Sequence, residues 1–310
     1  MTERPRVVLF GSGSPISTQA LAALAREADV VGVVVPTGPR VRGPLSAVRA
    51  WRRRRSTSAL RTLAQAGGAI TLSFDRHEPD RLAGAIRALR PDLIGVATFP
   101  ARLPSVVLES APLGAIGIHP SALPRHRGPA PLFWTYHDDD AEAGVSVFRL
   151  DDGVDTGAVL AAETFPLPRG RLGSDLYDEI ARRGAALLVR AALQTATGRA
   201  EPVPQDEARA TREPLPAPGR FRIDFNTWGA ERVWHFLRGV GEAGSILEVH
   251  FCRVLEQGDP PKRRPMSHGP ARTFGLAAPR RAAGTIEPIA DGLLVHCHDG
   301  WVEVAANPRR

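Results

Sequence analysis

The tightest constraint on the chain lies between Gly114 and Gly157. An apolar run, Ala115-Ile116-Gly117-Ile118, ends on His119 and opens a loop rich in Pro and Gly that lasts to Pro131. A second strand-like run, Val145 to Leu150, leads into Asp151-Asp152-Gly153-Val154-Asp155-Thr156-Gly157. A short run of small apolar residues that hands one His to a rigid loop is how an open α/β sheet presents reactive groups at the carboxyl ends of its strands. The second run delivers Asp155, and a carboxylate beside an imidazole orients the ring and raises its pKa towards neutrality. His119 and Asp155 are therefore the candidates for proton transfer.

Strand and helix alternate before this stretch. Arg6 to Phe10 reads as a buried strand, followed by the turn Gly11-Ser12-Gly13-Ser14 and a helix with Leu21, Leu24, Ala25 and Ala28 at helical spacing. Asp29 to Val35, Ala69 to Leu72 and Leu93 to Ala97 read as further strands, and a helix carrying Leu82, Ala85, Ile86 and Leu89 is stopped by Pro91. This alternation predicts an α/β fold with a doubly wound, mostly parallel, Rossmann-like sheet. The Gly11 turn sits where N–H groups at a helix start can meet an anion or a carboxylate. It lacks the third Gly and the later acid of a dinucleotide fingerprint, so a nicotinamide cofactor is not expected. After Gly157 come a strand from Ala158 to Thr164 and a long helix from Asp175 to about Thr197. Ser174 is its expected N-cap, and Leu176, Ile180, Leu187, Leu188 and Ala191 its inward face.

The string His119-Pro-Ser-x-Leu-Pro-x-x-Arg-Gly-x-x-Pro131, followed at a matching interval by Asp-x-Gly-x-Asp-Thr-Gly157, resembles the folate-dependent formyltransferases. That family includes methionyl-tRNA, glycinamide ribonucleotide and amino-sugar N-formyltransferases. The resemblance is strongest over residues 90 to 160 and extends over 5 to 200. It implies a formyltransferase sheet, 10-formyltetrahydrofolate as co-substrate, an amine as acceptor and no metal. It further implies that Thr98, Phe99, Pro100, Ala101, Arg102 and Leu103, with Leu150, Asp151, Asp152, Gly153 and Val154, border the pterin slot, largely through backbone groups. Gly11, Ser12, Gly13 and Ser14, together with Ser121 and Arg127, are expected at the acceptor. The family's catalytic trio is Asn, His and Asp. His119 and Asp155 match two of these, but Gly117 stands at the Asn position, two residues before the His on the same strand face.

Formyl transfer to an amine passes through a tetrahedral oxyanion, which the site must stabilise while it moves a proton. On the resemblance, Asp155 charges His119, and the missing amide at Gly117 removes one oxyanion donor, a loss of ~10²–10³ in kcat. Water, the Gly117 N–H or the Ser121 hydroxyl are the candidate substitutes. The alternatives are other chemistry in the same pocket (formimidoyl transfer, formylfolate hydrolysis or condensation at a carbonyl) or binding without turnover. Retention of a paired, rigidly presented His argues against the last.

The net charge of +7 and pI near 10.6 suit an anionic partner such as tRNA, yet the excess is mostly Arg amid many Ala, Pro and Gly, a bias that GC-rich coding also produces. Thr37 to Ser56 departs from the basic loop with which the tRNA enzymes of the family grip the acceptor stem, so a small-molecule amine is expected over tRNA. The run Trp51-Arg-Arg-Arg-Arg55 reads as a solvated helix face or a phosphate clamp. No apolar run reaches the ~18–20 residues that span a bilayer, and the expected location is the cytoplasm. Cys252 and Cys297 then read as buried free thiols. His296, Cys297 and His298 alternate in direction along a strand, which disfavours a metal site.

Residues 1–200 are expected to form the catalytic domain, and the Pro- and Ala-rich stretch 201–218 a linker. Residues 219–310 hold a helix with Val233, Trp234 and Leu237, then short strands at 246–255, 284–289, 293–298 and 301–305. That pattern predicts a small β-barrel, similar to the OB-like C-terminal domain that some formyltransferases carry.

Overall fold

The computed structural model describes residues 4–37, 57–216, 223–240, 268–278 and 281–306. The chain forms two compact units: residues 1–127, 144–164 and 178–212 in the first, and 128–143, 165–177 and 213–310 in the second. Residues 128–143 and 165–177 thus belong with the C-terminal part of the chain, and the expected linker contributes its first residues, up to Arg212, to the first unit.

A seven-stranded sheet, in the order β3-β2-β1-β4-β5-β6-β7, organises the first unit. Its strands are β1 (Arg6–Gly11), β2 (Asp29–Pro36), β3 (Ile70–Phe74), β4 (Leu93–Ala97), β5 (Ala115–His119), β6 (Glu142–Arg149) and β7 (Val159–Pro166). The pairs β1–β2, β2–β3, β1–β4 and β4–β5 are parallel, whereas β5–β6 is antiparallel. Every residue of β4 and β5 is buried, as expected of parallel strands covered on both faces. The strand order reverses between β1 and β4, and the crevice beyond the carboxyl ends at such a point is where open α/β sheets bind ligands.

The helices of this unit are α1 (Pro15–Glu27), α2 (residues 57–66), α3 (Pro79–Ala88) and the short α4 (Ser105–Leu108). In α1, Ser14 is the N-cap, its side chain accepting from the Ser17 N–H, and Pro15 follows at the first helical position. The buried face of α1 is Ile16, Ser17, Ala20, Leu21 and Leu24, while Ala25 lies in solvent. The long helix α6 (Gly173–Ala196) buries Leu176, Ile180, Leu187, Leu188 and Ala191, the inward face expected from their spacing. A Cβ at Gly184 would stand 2.9 Å from Ile118 Cγ2 and 3.1 Å from Val145 Cγ2, so the missing side chain lets this helix close onto β5 and β6 beneath the strand that ends in His119.

The second unit holds α5 (Pro131–His137), α7 (Ala230–Val240) and a four-stranded antiparallel sheet in the order β8-β11-β10-β9. These strands are β8 (His268–Leu276), β9 (Ile286–Ile289), β10 (Gly292–Cys297) and β11 (Gly300–Ala306). The helix core is aromatic, with Phe133, Trp228 and Phe236 meeting edge to face. The strand expected at 246–255, on which the predicted barrel rests, lies outside the described residues, as do Cys252 and the run 51–55. Cys297 is a buried thiol whose pKa is pushed up to about 12 by burial. His296 pairs through Nε2 with Glu287 Oε2 at 3.1 Å. No helix among the described residues is long and apolar enough to cross a membrane.

Candidate active site

β4 ends at Ala97, and Thr98 turns the chain with a left-handed backbone, φ 54°. Its hydroxyl meets those of Ser12, Ser14 and Ser17 at 3.2, 2.5 and 2.9 Å, tying the Gly11–Ser14 turn to the end of β4 at the switch point. Within the loop that follows, Phe99 stacks edge to face on Phe10 and Phe74, and Leu103 is buried in the same core. Their side chains therefore serve packing, and Pro100, Ala101 and Arg102 are the exposed members of the loop.

β5 delivers His119, whose ring is 5% exposed. Nε2 lies 2.8 Å from the carbonyl oxygen of His126, and Nδ1 lies 3.6 Å from Asp155 Oδ2. A carbonyl only accepts, so Nε2 carries the proton and Nδ1 turns its lone pair towards the Asp155 side. Asp155 itself has φ 55°, a left-handed conformation that an L residue adopts at a cost. The loop before it is closed by Asp151 Oδ1, which accepts from the Gly153 N–H at 2.9 Å and the Thr156 hydroxyl at 2.7 Å. A Cβ at Gly157 would stand 1.8 Å from the Arg149 carbonyl oxygen, so only glycine fits there.

Burial depresses the pKa of His119 below its ordinary 6.5, and this outweighs the opposing pull of the Asp155 carboxylate. The expectation of a raised pKa is corrected accordingly: the imidazole is neutral at pH 7. Sequence spacing shows that a carboxylate is near but not how completely the ring is withdrawn from water.

The Gly117 position is filled from an adjacent strand. A Cβ there would meet Leu150 Cδ1 at 2.7 Å and Phe148 Cε1 at 3.5 Å. Residues 115, 117 and 119 share a face with 146, 148 and 150 across the β5–β6 pairing, so the Leu150 side chain lies over the place an amide would occupy. The Gly117 N–H lies in the plane of the sheet, between β4 and β6, and does not point to that face. The Ser121 hydroxyl is likewise occupied: Ser121 is 1% exposed and donates to the Arg125 carbonyl at 2.6 Å. Neither has the geometry expected of an oxyanion donor.

The resemblance places Arg127 at the acceptor. It is 1% exposed, and its guanidinium is held by Gln205 and Glu207 rather than turned to a substrate. Gln205 and Glu207, with Ser146 and Ser105, are site-proximal residues that the sequence reading missed. Ser146, opposite His119 in register, donates to the Ser121 carbonyl at 2.8 Å and accepts from the Leu123 N–H at 3.0 Å, anchoring the loop after β5. Ser105 at the start of α4 donates to Asp152 at 2.5 Å, joining the two loops expected at the pterin. A cleft of about 400 Å³ opens beside them, lined by Ser105, Leu108, Gly114, Leu150, Asp151 and Asp152. It reaches Leu150 but does not include His119 or Asp155.

An open α/β sheet with a strand-borne His beside a loop-borne carboxylate places the protein among Rossmann-like folds with an acid–base site at the carboxyl end of the sheet. The formyl transferase family matches residues 5–192, and the chain belongs to that family. It is an enzyme that transfers a formyl group, as the motif around His119 implied. Methionyl-tRNA formyltransferase of Synechococcus sp. (strain JA-3-3Ab) is 35% identical over 301 residues, covering 94% of this chain and 89% of that one. Among solved structures, WlaRD, a sugar 3N-formyl transferase crystallised with dTDP and 5-N-formyl-THF, shares the fold with a TM-score of 0.63 at 13% identity, covering 99% of each chain. The N-formyltransferase from Helicobacter canadensis, in complex with folinic acid and dTDP-3-aminofucose, superposes with a TM-score of 0.61 at 14% identity over 98% of this chain and 99% of that one.

Proposed function

We propose that the chain transfers a formyl group from 10-formyltetrahydrofolate to the primary amine of a small molecule, with His119 as the proton-transfer group and Asp155 as its support. The observation that carries this reading is the pair itself, a buried imidazole with Nδ1 3.6 Å from Asp155 Oδ2 at the end of β5. The cleft between α4 and the 150–152 loop, with apolar walls at Leu108 and Leu150 and polar edges at Ser105, Asp151 and Asp152, supports a donor site beside the loop that carries Asp155, the His119–Asp155 pair itself lying outside the cleft. When bound, the folate supplies the formyl carbon and the leaving nitrogen.

A neutral His119 takes the proton of the attacking amine on Nδ1. The resulting imidazolium stands between the His126 carbonyl and the Asp155 carboxylate, two acceptors that stabilise the charged form. The same nitrogen then returns the proton to the leaving group, so one side chain serves both halves of the reaction. Leu150 over Gly117 leaves the formyl oxygen without a side-chain amide from β5, which lowers the rate and sets this site apart from the Asn-His-Asp pattern.

A second reading, methionyl-tRNA as the acceptor, is favoured by the name of the Synechococcus relative and by the 89% of its length that is matched. We also take the division at 200 and 219, and an OB-like barrel built on the four-stranded sheet, as the working domain plan. The test of function is tetrahydrofolate release from 10-formyltetrahydrofolate with two probes, methionyl-tRNA and a dTDP-linked amino sugar. Release with the sugar probe alone supports the first reading, and release with tRNA at physiological salt supports the second. Absence of release with either, together with absence of thermal stabilisation by millimolar 5-formyltetrahydrofolate, would remove both.

A further inference from the structure

The stretch 205–211 bonds the Asp155 backbone directly and reaches His119 only through His126, without placing a side chain between the pair. Gln205 Nε2 donates to the Asp155 carbonyl at 2.9 Å and to the Gly157 carbonyl at 2.7 Å. Gln205 Oε1 accepts from Arg127 Nε at 3.0 Å and Nη2 at 2.8 Å. The orientation of this amide follows from its partners, since a guanidinium offers only N–H and a carbonyl only lone pairs. Arg127 is in turn held by Glu207, at 3.0 and 2.7 Å. On the other half, the Thr211 hydroxyl accepts from the His126 N–H at 2.7 Å, and the Thr211 carbonyl accepts from the Arg127 N–H at 3.1 Å. His126 is the residue whose carbonyl orients His119.

We infer that Gln205 is a positioning residue for formyl transfer, holding Asp155 in its left-handed turn so that the carboxylate faces His119, with Arg127 as the buried anchor. This rests on the reading of His119 and Asp155 as the proton-transfer pair. The physical requirement is specific. The Asp155 backbone is in the left-handed region, which an L residue occupies at a cost, and Gln205 stabilises it from outside the loop. The doubly donating amide bridges the carbonyls on either side of Thr156 and closes the turn there. A carboxylate of the same shape satisfies Arg127 equally well but places acceptors against both carbonyls. Arg127 follows His126 directly in the chain, so one anchor serves the loop that carries each partner, and a misplacement of 1 Å at such a site costs about 10²-fold in rate.

The discriminating variant is Gln205→Glu, which preserves shape and the Arg127 contact, removes the two donors and turns a carboxylate oxygen to the Asp155 and Gly157 carbonyls. We expect kcat to fall about 10- to 10²-fold with whichever of the two probes, methionyl-tRNA or the dTDP-linked amino sugar, wild type formylates. The melting temperature should fall by only a few degrees while the affinity for 5-formyltetrahydrofolate by calorimetry, measured well below the midpoint, stays unchanged, a split from kcat that a purely structural role would not produce. A crystal structure of the variant should show Asp155 out of the left-handed region and farther than 3.6 Å from His119 Nδ1. Wild-type kcat, or an unmoved Asp155, would overturn the inference. If Gln205→Glu does not fold, Gln205→Ala is judged by the same readouts, and failure of both to fold assigns the residue to structure and equally overturns it. Asp155→Ala run alongside separates the two levels: full turnover there defeats the proposed pair, whereas full turnover in the Gln205 variants beside an inactive Asp155→Ala defeats only the bracing.

Discussion

Two positions on one face of β5 have opposite surroundings. His119 ends the strand inside a polar frame made by the His126 carbonyl and Asp155. Gly117, two residues earlier and pointing the same way, lies under the side chains of Leu150 and Phe148. On the proposed roles, the contrast separates moving a proton from holding an oxyanion: the polar end keeps its supporting loop, and the place of an amide is taken by apolar packing.

The largest effect is expected where the frame is removed. His119→Ala should lower kcat by about 10²–10⁴, the range of a general acid–base group, with little change in 5-formyltetrahydrofolate affinity by calorimetry. A variant within a few-fold of wild type would erase the contrast, because the polar end of the face would then be as inert as the apolar end.

The next experiment works from the apolar end. Gly117→Asn alone brings a Cβ to 2.7 Å from Leu150 Cδ1, so the leucine must swing away, and a loss of about 1–3 kcal/mol in stability by thermal melting is expected. Gly117→Asn combined with Leu150→Ala gives the amide its space and should raise kcat over the single variant, by at most the ~10²–10³ that an oxyanion donor supplies. A double variant no faster than the single one would mean that the reaction has no use for a donor at that place.

A smaller effect is expected in pH dependence. With His119 as the proposed base and burial holding its pKa below 6.5, kcat/KM should rise with pH through a midpoint under 6.5 and be level at neutrality. Asp155 opposes the depression, so Asp155→Asn should move that midpoint lower still, measured as a pH–rate profile of the residual activity. A midpoint that moves up would show that Asp155 does not support the cationic ring.

The smallest expected effect lies outside the catalytic pair, in the second unit. His235 Nδ1 accepts the Gly170 N–H at 2.9 Å, and burial brings its pKa down to about 4 from 6.5. The unfolded chain therefore binds this proton more readily than the folded one. The stability that His235 contributes is full above pH 6.5 and is lost as pH falls from 6.5 towards 4. Melting curves should show the decline in wild type and a flatter profile in His235→Gln, where the amide oxygen can still accept from Gly170.

Much of this was legible in the chain itself. Apolar runs of strand length bounded by Gly and Pro placed β4 and β5, and the 3.6-residue spacing of Leu176, Ile180, Leu187, Leu188 and Ala191 placed the inner face of α6. Local periodicity reports burial well when a strand or helix has one consistent environment. It reported poorly on single residues in loops. Arg127 and Ser121 are polar groups within the motif that opens at His119 and read as substrate contacts, yet both are buried and bonded to the fold. The Pro-rich stretch after residue 200 has no periodicity, so nothing in it marked Gln205 as a contact of Asp155.

The sequence alone determined the α/β alternation, the strand end that carries His119, the Asp- and Gly-rich stretch that carries Asp155, and the absence of an amide at Gly117, because each depends on residue type and short-range spacing. Tertiary structure alone decided that Leu150 covers Gly117, that His119 is neutral, and that Gln205 braces Asp155. Gln205 meets Asp155 and Arg127 across 50 and 78 residues of chain. Contacts of that separation, and the depth at which a ring is withdrawn from water, depend on how whole elements pack, and no local pattern carries that information.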